Sequence, residues 1–331
     1  MQQAFPIDEP RRLAGLHRPL RLTRCFPPQL LAKLTLLALL LGFCPGPGLG
    51  AGPWLDFGHA LQAQKGGVHY SELDKALFDG LTSGLEKDAN EDKTAIGPEL
   101  VRVGRAFLGT PYVAKTLEVG EDEQLVVNLR GLDCTTYVEN VLVMGRLASK
   151  GKLQWNRYVR GLEQVRYRKG KRDGYPSRLH YFTEWIRDNE AKGLVRNITE
   201  ELAGVTIQKD INFMGTHRDL YPFLASDANY RAMVEIEKQL SSRPLIVLPR
   251  SEVAQREHLI QDGDIIALAT DIEGLDVTHT GLAIRLDDGR IHLLHASTVG
   301  EVVISDEPLA DYLQGIKRNT GIIVARPQAM R

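Results

Sequence analysis

Cysteine is scarce in this chain: there are three in 331 residues, Cys25, Cys44 and Cys134. That is too few for the disulfide framework that staples small secreted domains. Charge of one sign is lacking too. Lys+Arg number 41 and Asp+Glu 42, which argues against a nucleic-acid groove or a polybasic membrane patch. No internal repeat and no long low-complexity tract occurs, so a solenoid is excluded. No His-Glu-x-x-His is present, and with it goes the commonest signature of a zinc hydrolase. What remains is a 43% apolar chain with ample material for a packed core.

The first ~50 residues read as an address rather than as fold. Arg11, Arg12, Arg18, Arg21 and Arg24 form a basic flank, and Leu34 to Phe43 an apolar run. At about ten residues that run suits a signal segment and is too short to span a bilayer. Pro45, Gly46, Pro47 and Gly48 break it, and Gly48 and Gly50 offer a cleavage site before Ala51. The expectation is an exported protein, periplasmic or secreted. A rival reading is a lipoprotein signal with Cys44 acylated, the one route to membrane contact. Either way, the mature chain keeps a single cysteine, Cys134. In an oxidising compartment a lone thiol is either buried and inert or kept for chemistry.

Its surroundings favour chemistry. Asp133 is a good N-cap residue, and Val138, Val141 and Leu142 follow Cys134 at i+4, i+7 and i+8. Cys134 is therefore expected in the first turn of a helix, where unpaired amides and the dipole favour thiolate. Further on, Ile265–Ala269, Val277–Arg285 and Ile291–Ser297 read as strands, with Asp287-Asp288-Gly289 as a three-residue hairpin loop. That loop length pairs Leu286 with Arg290 and His279 with Ser297. His295 then falls diagonally beside His279 on one face, while His292 points away. In this reading His279 is the base for Cys134, and His295 orients its imidazole. Asp276 competes for the orienting role, but its odd spacing from His279 turns it away. His295 also reads as an ordinary core histidine.

Five blocks occur in order: Gly109-Thr110-Pro111-Tyr112, Asp133-Cys134, Gly263-Asp264, His279-Thr280-Gly281 and His295-Ala296-Ser297. Together they resemble the NlpC-type cell-wall cysteine amidases, a papain-like superfamily. The resemblance implies Cys134 as nucleophile, His279 as base, His295 as third polar member and Tyr112 lining the pocket. Two departures matter. Thr135-Thr136 follows the cysteine where many relatives carry Ser-Gly, and the stretch from Cys134 to His279 is long. Its segments around Arg178–Trp185 and Phe213–Pro222, with Asp133–Glu139, resemble a branch described as N-acetylmuramoyl-L-alanine amidase-like. That branch implies hydrolysis of the amide between N-acetylmuramic acid, in anhydro form, and L-alanine of the stem peptide through a cysteine thioester. It implies peptidoglycan fragments as partners, and no cofactor.

The insert is rich in groups that grip polar ligands. Arg178 and His180 suit carboxylates. Tyr181 and Trp185 suit a sugar ring, although their spacing with Phe182 and Ile186 equally fits the core face of a helix. His217, Arg218 and Asp219 suit a cleft-lining loop. Asp133 and Ser297 complete the set of substrate contacts. The basic run Arg166, Arg168, Lys169, Lys171, Arg172 reads as a solvated turn. Three alternatives stay open: a γ-D-glutamyl-diaminopimelate endopeptidase with the same triad, a non-catalytic wall-binding module, and a metal hydrolase using His279, His292, His295 or His217.

The expected architecture is α+β, with a papain-like, NlpC-type core. A small antiparallel sheet packs against the Cys134 helix. Residues 51–96 form a helical lead-in, in which Leu73, Leu77, Leu81 and Leu85 recur at i+4. Residues 97–331 form the amidase domain. An insert at about 150–260 is mostly helical until Ile211, and Gly321–Ala325 is a closing buried strand.

Overall fold

A computed structural model describes residues 62–65, 67–87 and 96–330. The address segment, with Cys25 and Cys44, and the start of the lead-in fall outside the described residues. The chain opens with strands β1 (Gln62–Lys65) and β2 (Val68–Ser71), then helices α1 (Glu72–Lys87) and α2 (Ile96–Arg105) and strand β3 (Leu125–Val126). Helices α3 (Cys134–Ala148), α4 (Trp155–Arg166) and α5 (Phe182–Ala191) follow, then β4 (Val195–Asn197) and β5 (Val205–Ile207). Next come α6 (Phe213–Thr216), α7 (Asp227–Ser241), β6 (Leu245–Pro249) and α8 (Val253–Arg256). The last stretch is β7 (Ile265–Thr270), β8 (Val277–Arg285), β9 (Ile291–Ala296), β10 (Val302–Ile304), α9 (Leu309–Gln314) and β11 (Asn319–Pro327).

The lead-in is not wholly helical, because a hairpin precedes α1. The helix buries Asp74, Phe78 and Leu85 and leaves Leu73 52% and Leu77 36% exposed. A strict i+4 repeat drifts around the cylinder by about 40° per step, so four leucines cannot all face one core. The buried residues follow the i, i+4, i+11 pattern of a single stripe. Asp74 also ties this helix to the approach to Cys134. Its carboxylate accepts from the Leu129 amide at 2.9 Å and from Arg130 Nε at 3.1 Å.

The sheet is larger than expected. Eight strands run in the order β10-β9-β8-β7-β11-β6-β5, with β4 also on β11, and every neighbouring pair in it is antiparallel. The insert supplies β4, β5 and β6. The first two are three-residue strands, too short to show a period, which is why this part reads as helical from sequence. The far edge of β11 is shared, with Gly321 and Ile322 facing β6 and Ala325–Pro327 facing β4.

Alternate strand residues feed two cores. Ile265, Ala267, Leu282, Leu294 and Ile323 join the larger one with α3. Ile266, Leu268, Ala283, Leu293 and Ile322 join the smaller one with Leu309 and Leu313 of α9. Both faces are therefore covered, which accounts for near-continuous apolar strands in an antiparallel sheet.

Helix α3 is enclosed on all sides. Val138, Val141 and Leu142 are buried, as the spacing implies, and so is nearly every other residue to Gly145. Among them is Glu139, whose carboxylate takes Arg166 Nε at 2.7 Å and Trp185 Nε1 at 3.3 Å. Arg166 also donates to the Val126 carbonyl at 2.6 Å. Removing one member of such a pair strands a buried charge. Glu139→Ala is expected to destabilise the fold by about 3–5 kcal/mol in urea unfolding; a cost below about 1 kcal/mol would show that the pair does not hold α3 in place.

Candidate active site

Cys134, the candidate nucleophile, is placed by the cap of its helix. The Asp133 carboxylate accepts from the Thr136 amide at 2.7 Å, and Thr136 Oγ1 accepts from the Asp133 amide at 2.9 Å. This reciprocal capping box starts α3 at Cys134. The amides of Cys134 and Thr135, in the same first turn, have no acceptor within the helix. Upstream, Leu132 forms a parallel bridge with Tyr112, whose own amide donates to the Gly300 carbonyl at 2.7 Å. The Gly109–Tyr112 block thus straps the approach to Cys134 onto the loop after Ser297. Gly109, at φ +81°, makes the turn that lets this strap begin.

His279, the candidate base, is placed by the hairpin. Leu286 accepts from the Gly289 amide and donates to the Arg290 carbonyl, with Gly289 at φ +77°. The ladder runs from Arg285↔Ile291 to Leu282↔Leu294. Extending that register sets Gly281 opposite His295 and His279 opposite Ser297, as counted from the loop length. Gly281 is required here, because a Cβ at this position would meet the His295 Cβ at 2.8 Å and the Leu294 carbonyl at 2.9 Å. A bulge between the Leu268 and Ala269 pairings interrupts β8 on its other edge, next to His279. Bulges of this kind re-aim a side chain.

His279 Nε2 and His295 Nδ1 lie 2.6 Å apart. His279 Nδ1 is buried and makes no hydrogen bond. If that atom is to accept a proton, His279 carries its hydrogen on Nε2 and donates it to His295 Nδ1. The Tyr312 ring stands edge-on to His295 at 5.7 Å. The backbone amide of Thr280, the residue after His279, faces the Cys134 thiol. Helix start and strand therefore converge where the β8–β9 ladder ends.

Burial sets the charge states. It pushes the Cys134 thiol up to about 12, helped by the Asp133 carboxylate and opposed by the Thr280 amide. The expectation of a resting thiolate is corrected: the site is closed, with Cys134 only 6% exposed, and desolvation outweighs the helix start. Burial likewise lowers His279 to about 4 and holds His295 low. The resting pair is a neutral thiol and a neutral imidazole.

The remaining residues singled out from sequence divide. Asp133 is the helix cap, and its second oxygen is buried without a partner. Ser297 is buried in the turn after β9, where its amide donates to the Glu301 carbonyl at 2.9 Å. Arg178 is buried between Glu118 at 2.9 Å and Glu123 at 3.3 Å, over the Tyr175 ring. Burial works against its charge, and the two carboxylates outweigh burial and hold it protonated. His180 Nε2 sits 2.9 Å from the Tyr175 carbonyl, kept neutral by burial. These two, with Thr135, Glu139 and Tyr221, line a cavity of about 20 Å³ that reaches the residue next to Cys134.

Tyr181 is a core residue instead. Its hydroxyl donates to Glu237 at 2.6 Å and accepts from the Met214 amide. Trp185 is buried with it. His217 is exposed and stacked on Phe213 at 3.9 Å. Asp276 caps α5 by accepting from the Thr183 amide and hydroxyl at 2.8 Å, and His292 bonds the Ser305 carbonyl and Asp288. Neither joins His279. Sequence reasoning missed Thr280, which faces the thiol with its backbone and leaves no side-chain signal, and Tyr221 and Glu118, which reach the small cavity from loops outside α3.

Residues 102–322 match a family model described as AmiA-like, N-acetylmuramoyl-L-alanine amidase-like. Among solved structures, an N-acetylmuramoyl-L-alanine amidase from Bacteroides uniformis is 39% identical, covering 70% of this chain and 99% of its own at a TM-score of 0.67. A protein of Bacteroides fragilis described as a putative xylanase is 40% identical, covering 67% and 98% at 0.63. A Legionella pneumophila protein shares the fold at 20% identity, covering 78% and 96% at 0.58. No curated protein matches.

A neutral resting thiol has a measurable consequence. Alkylation of Cys134 by iodoacetamide in the free protein should climb about tenfold per pH unit from pH 6 to 9, following the thiolate fraction. A plateau near neutral pH would instead reveal a preformed thiolate–imidazolium pair.

Proposed function

The chain belongs to the AmiA-like, N-acetylmuramoyl-L-alanine amidase-like family, and from that premise we propose that it hydrolyses the amide between muramic acid and L-alanine through a thioester on Cys134. Family membership brings a peptidoglycan substrate with it. The anhydro form of the muramoyl group, the cysteine chemistry and export through the basic and apolar leader are our reading. The observation that carries it is the convergence of the thiol, the Thr280 amide and a hydrogen-bonded His279–His295 pair whose Nδ1 is left open.

The residues divide the work as follows. His279 Nδ1 takes the thiol proton as Sγ attacks the lactyl carbonyl carbon. Because the thiol is neutral at rest, transfer and attack proceed together. His279 Nε2–H stays bonded to His295 throughout and spreads the transient positive charge. The oxyanion that forms needs preorganised donors, and the Cys134 amide at the start of α3 is one. The carbon–nitrogen bond then breaks, and His279 returns the proton to the departing alanine nitrogen. Water attacks the thioester with His279 again as base. The lactyl carboxyl group leaves, and the proton goes back to sulfur.

The buried Arg178–Glu118–Glu123 cluster faces this chemistry across Thr135. It supports a role in shaping the stem-peptide side of the pocket more than one in direct carboxylate capture, since Arg178 already holds two carboxylates. Asp133, Tyr112 and Ser297 are proposed to border the scissile bond, and His180 and His217 the rim.

Digestion of anhydro-muropeptides and intact-stem muropeptides, read by mass spectrometry, tests this. Wild-type protein should release free stem peptide, and Cys134→Ala should lose about 10⁴-fold or more in rate. His279→Ala should fall by about 10³-fold and His295→Ala by about 10²-fold. Release of a dipeptide-bearing sugar would assign the γ-D-glutamyl-diaminopimelate bond instead. Full activity in Cys134→Ala would overturn the thioester.

A further inference from the structure

A larger cavity than the one beside Thr135 lies toward the other end of α3 from the thiol. It has a volume of about 580 Å³ and sits between the C-terminal half of α3, helix α4 and the segments around Lys169 and Leu194. Arg146 is twelve residues beyond Cys134 on the same helix, about 18 Å along the axis. A cavity of this size is in the range of small-molecule sites.

Its lining has two halves. Val143, Leu147, Leu194 and Met330 make an apolar floor, backed by the fully buried Leu142 and Val165. The rim carries Arg146, Arg157, Arg160, Lys169 and Lys192, against one carboxylate, Glu163. Lys192 is already paired with Asp188 at 2.6 Å. Arg157 and Arg160 are exposed, one turn apart on α4, and make no ion pair among the described residues. Among the described residues Arg146 donates only to the Leu194 carbonyl, at 3.2 Å.

Two local features keep the cavity open and basic. Gly161 lets α4 approach α3, since a Cβ there would meet Val143 at 2.5 Å. Lys169 sits at φ +55°, followed by Gly170 at +72°, a left-handed pair that is unfavourable for a non-glycine residue. Asp188 pins that turn by accepting the Lys169 amide at 2.9 Å. The basic run that reads as a solvated turn is thus split: Arg166 and Arg168 point into ion pairs with Glu139 and Glu184, while Lys169 goes to the rim.

We propose that this cavity binds an amphiphile with an anionic head. The head, a phosphate or carboxylate, is held by Arg157, Arg160 and Arg146, and the alkyl body lies on the apolar floor. A small hydrophilic anion would leave that floor wet, and a neutral apolar molecule would leave three guanidinium groups unmatched. The site is separate from Cys134 and does not depend on the proposed hydrolysis.

Calorimetric titration of the full chain with dodecyl phosphate, kept below its micelle threshold, tests the assignment. One saturable site is expected, with dodecanoate binding in the same place. Inorganic phosphate and dodecanol should each bind at least about tenfold more weakly. Arg157→Ala/Arg160→Ala, at surface positions where folding is checked by an unchanged melting temperature, should weaken dodecyl phosphate about tenfold or more. Cys134→Ala should bind it as the wild type does. Equal affinity for dodecanol, or no effect of the double substitution, would overturn the anionic head. Loss of binding in Cys134→Ala would move the site to the catalytic cleft.

Discussion

Everything at the reactive end of this protein depends on where helix α3 begins, and the reciprocal bonds between Asp133 and Thr136 decide that. A helix that started one residue earlier or later would rotate its first side chain by about 100° and carry the thiol away from the Thr280 amide. The cap is held in turn from below and above. The Glu139–Arg166 pair locks the second turn of the helix into the core. The Leu132–Tyr112 bridge fixes the chain that enters it.

Burial is the second constraint, and it works against the first. A helix start favours thiolate, but a closed pocket removes the water that would solvate the anion, and desolvation is the larger effect. The same burial keeps both histidines neutral. A neutral thiol beside a neutral base is a quiet resting state, suited to a nucleophile that should react with a bound substrate and not with bulk oxidants. In the proposed reaction, activation belongs to the moment of attack, when His279 takes the proton and His295 shares the charge.

Much of this site was legible from residues alone. The loop Asp287-Asp288-Gly289 has a length that admits one register, and that register brings His295 to His279. Asp133 has the chemistry of a cap, and the apolar spacing after Cys134 has the period of a helix. The insert was less legible. Tyr181 and Trp185 look alike as ligand platforms or core residues, and only their partners, Glu237 and Glu139, separate the two. Strands β4 and β5 are too short to carry a pattern. The leucines of α1 look like a stripe, yet the helix turns Leu73 and Leu77 outward and buries Asp74 and Phe78.

By itself, then, the sequence determined what is local and periodic: the start of α3, the hairpin register, the pairing of two histidines and the family to which these blocks belong. Only the tertiary structure decided the charge on the thiol, the commitment of Arg178 to Glu118 and Glu123, and the opening of a basic cavity at the far end of α3. The reason is physical. Capping and strand alternation are set by neighbours a few residues apart, whereas desolvation and ion pairing depend on which distant segments arrive to exclude water.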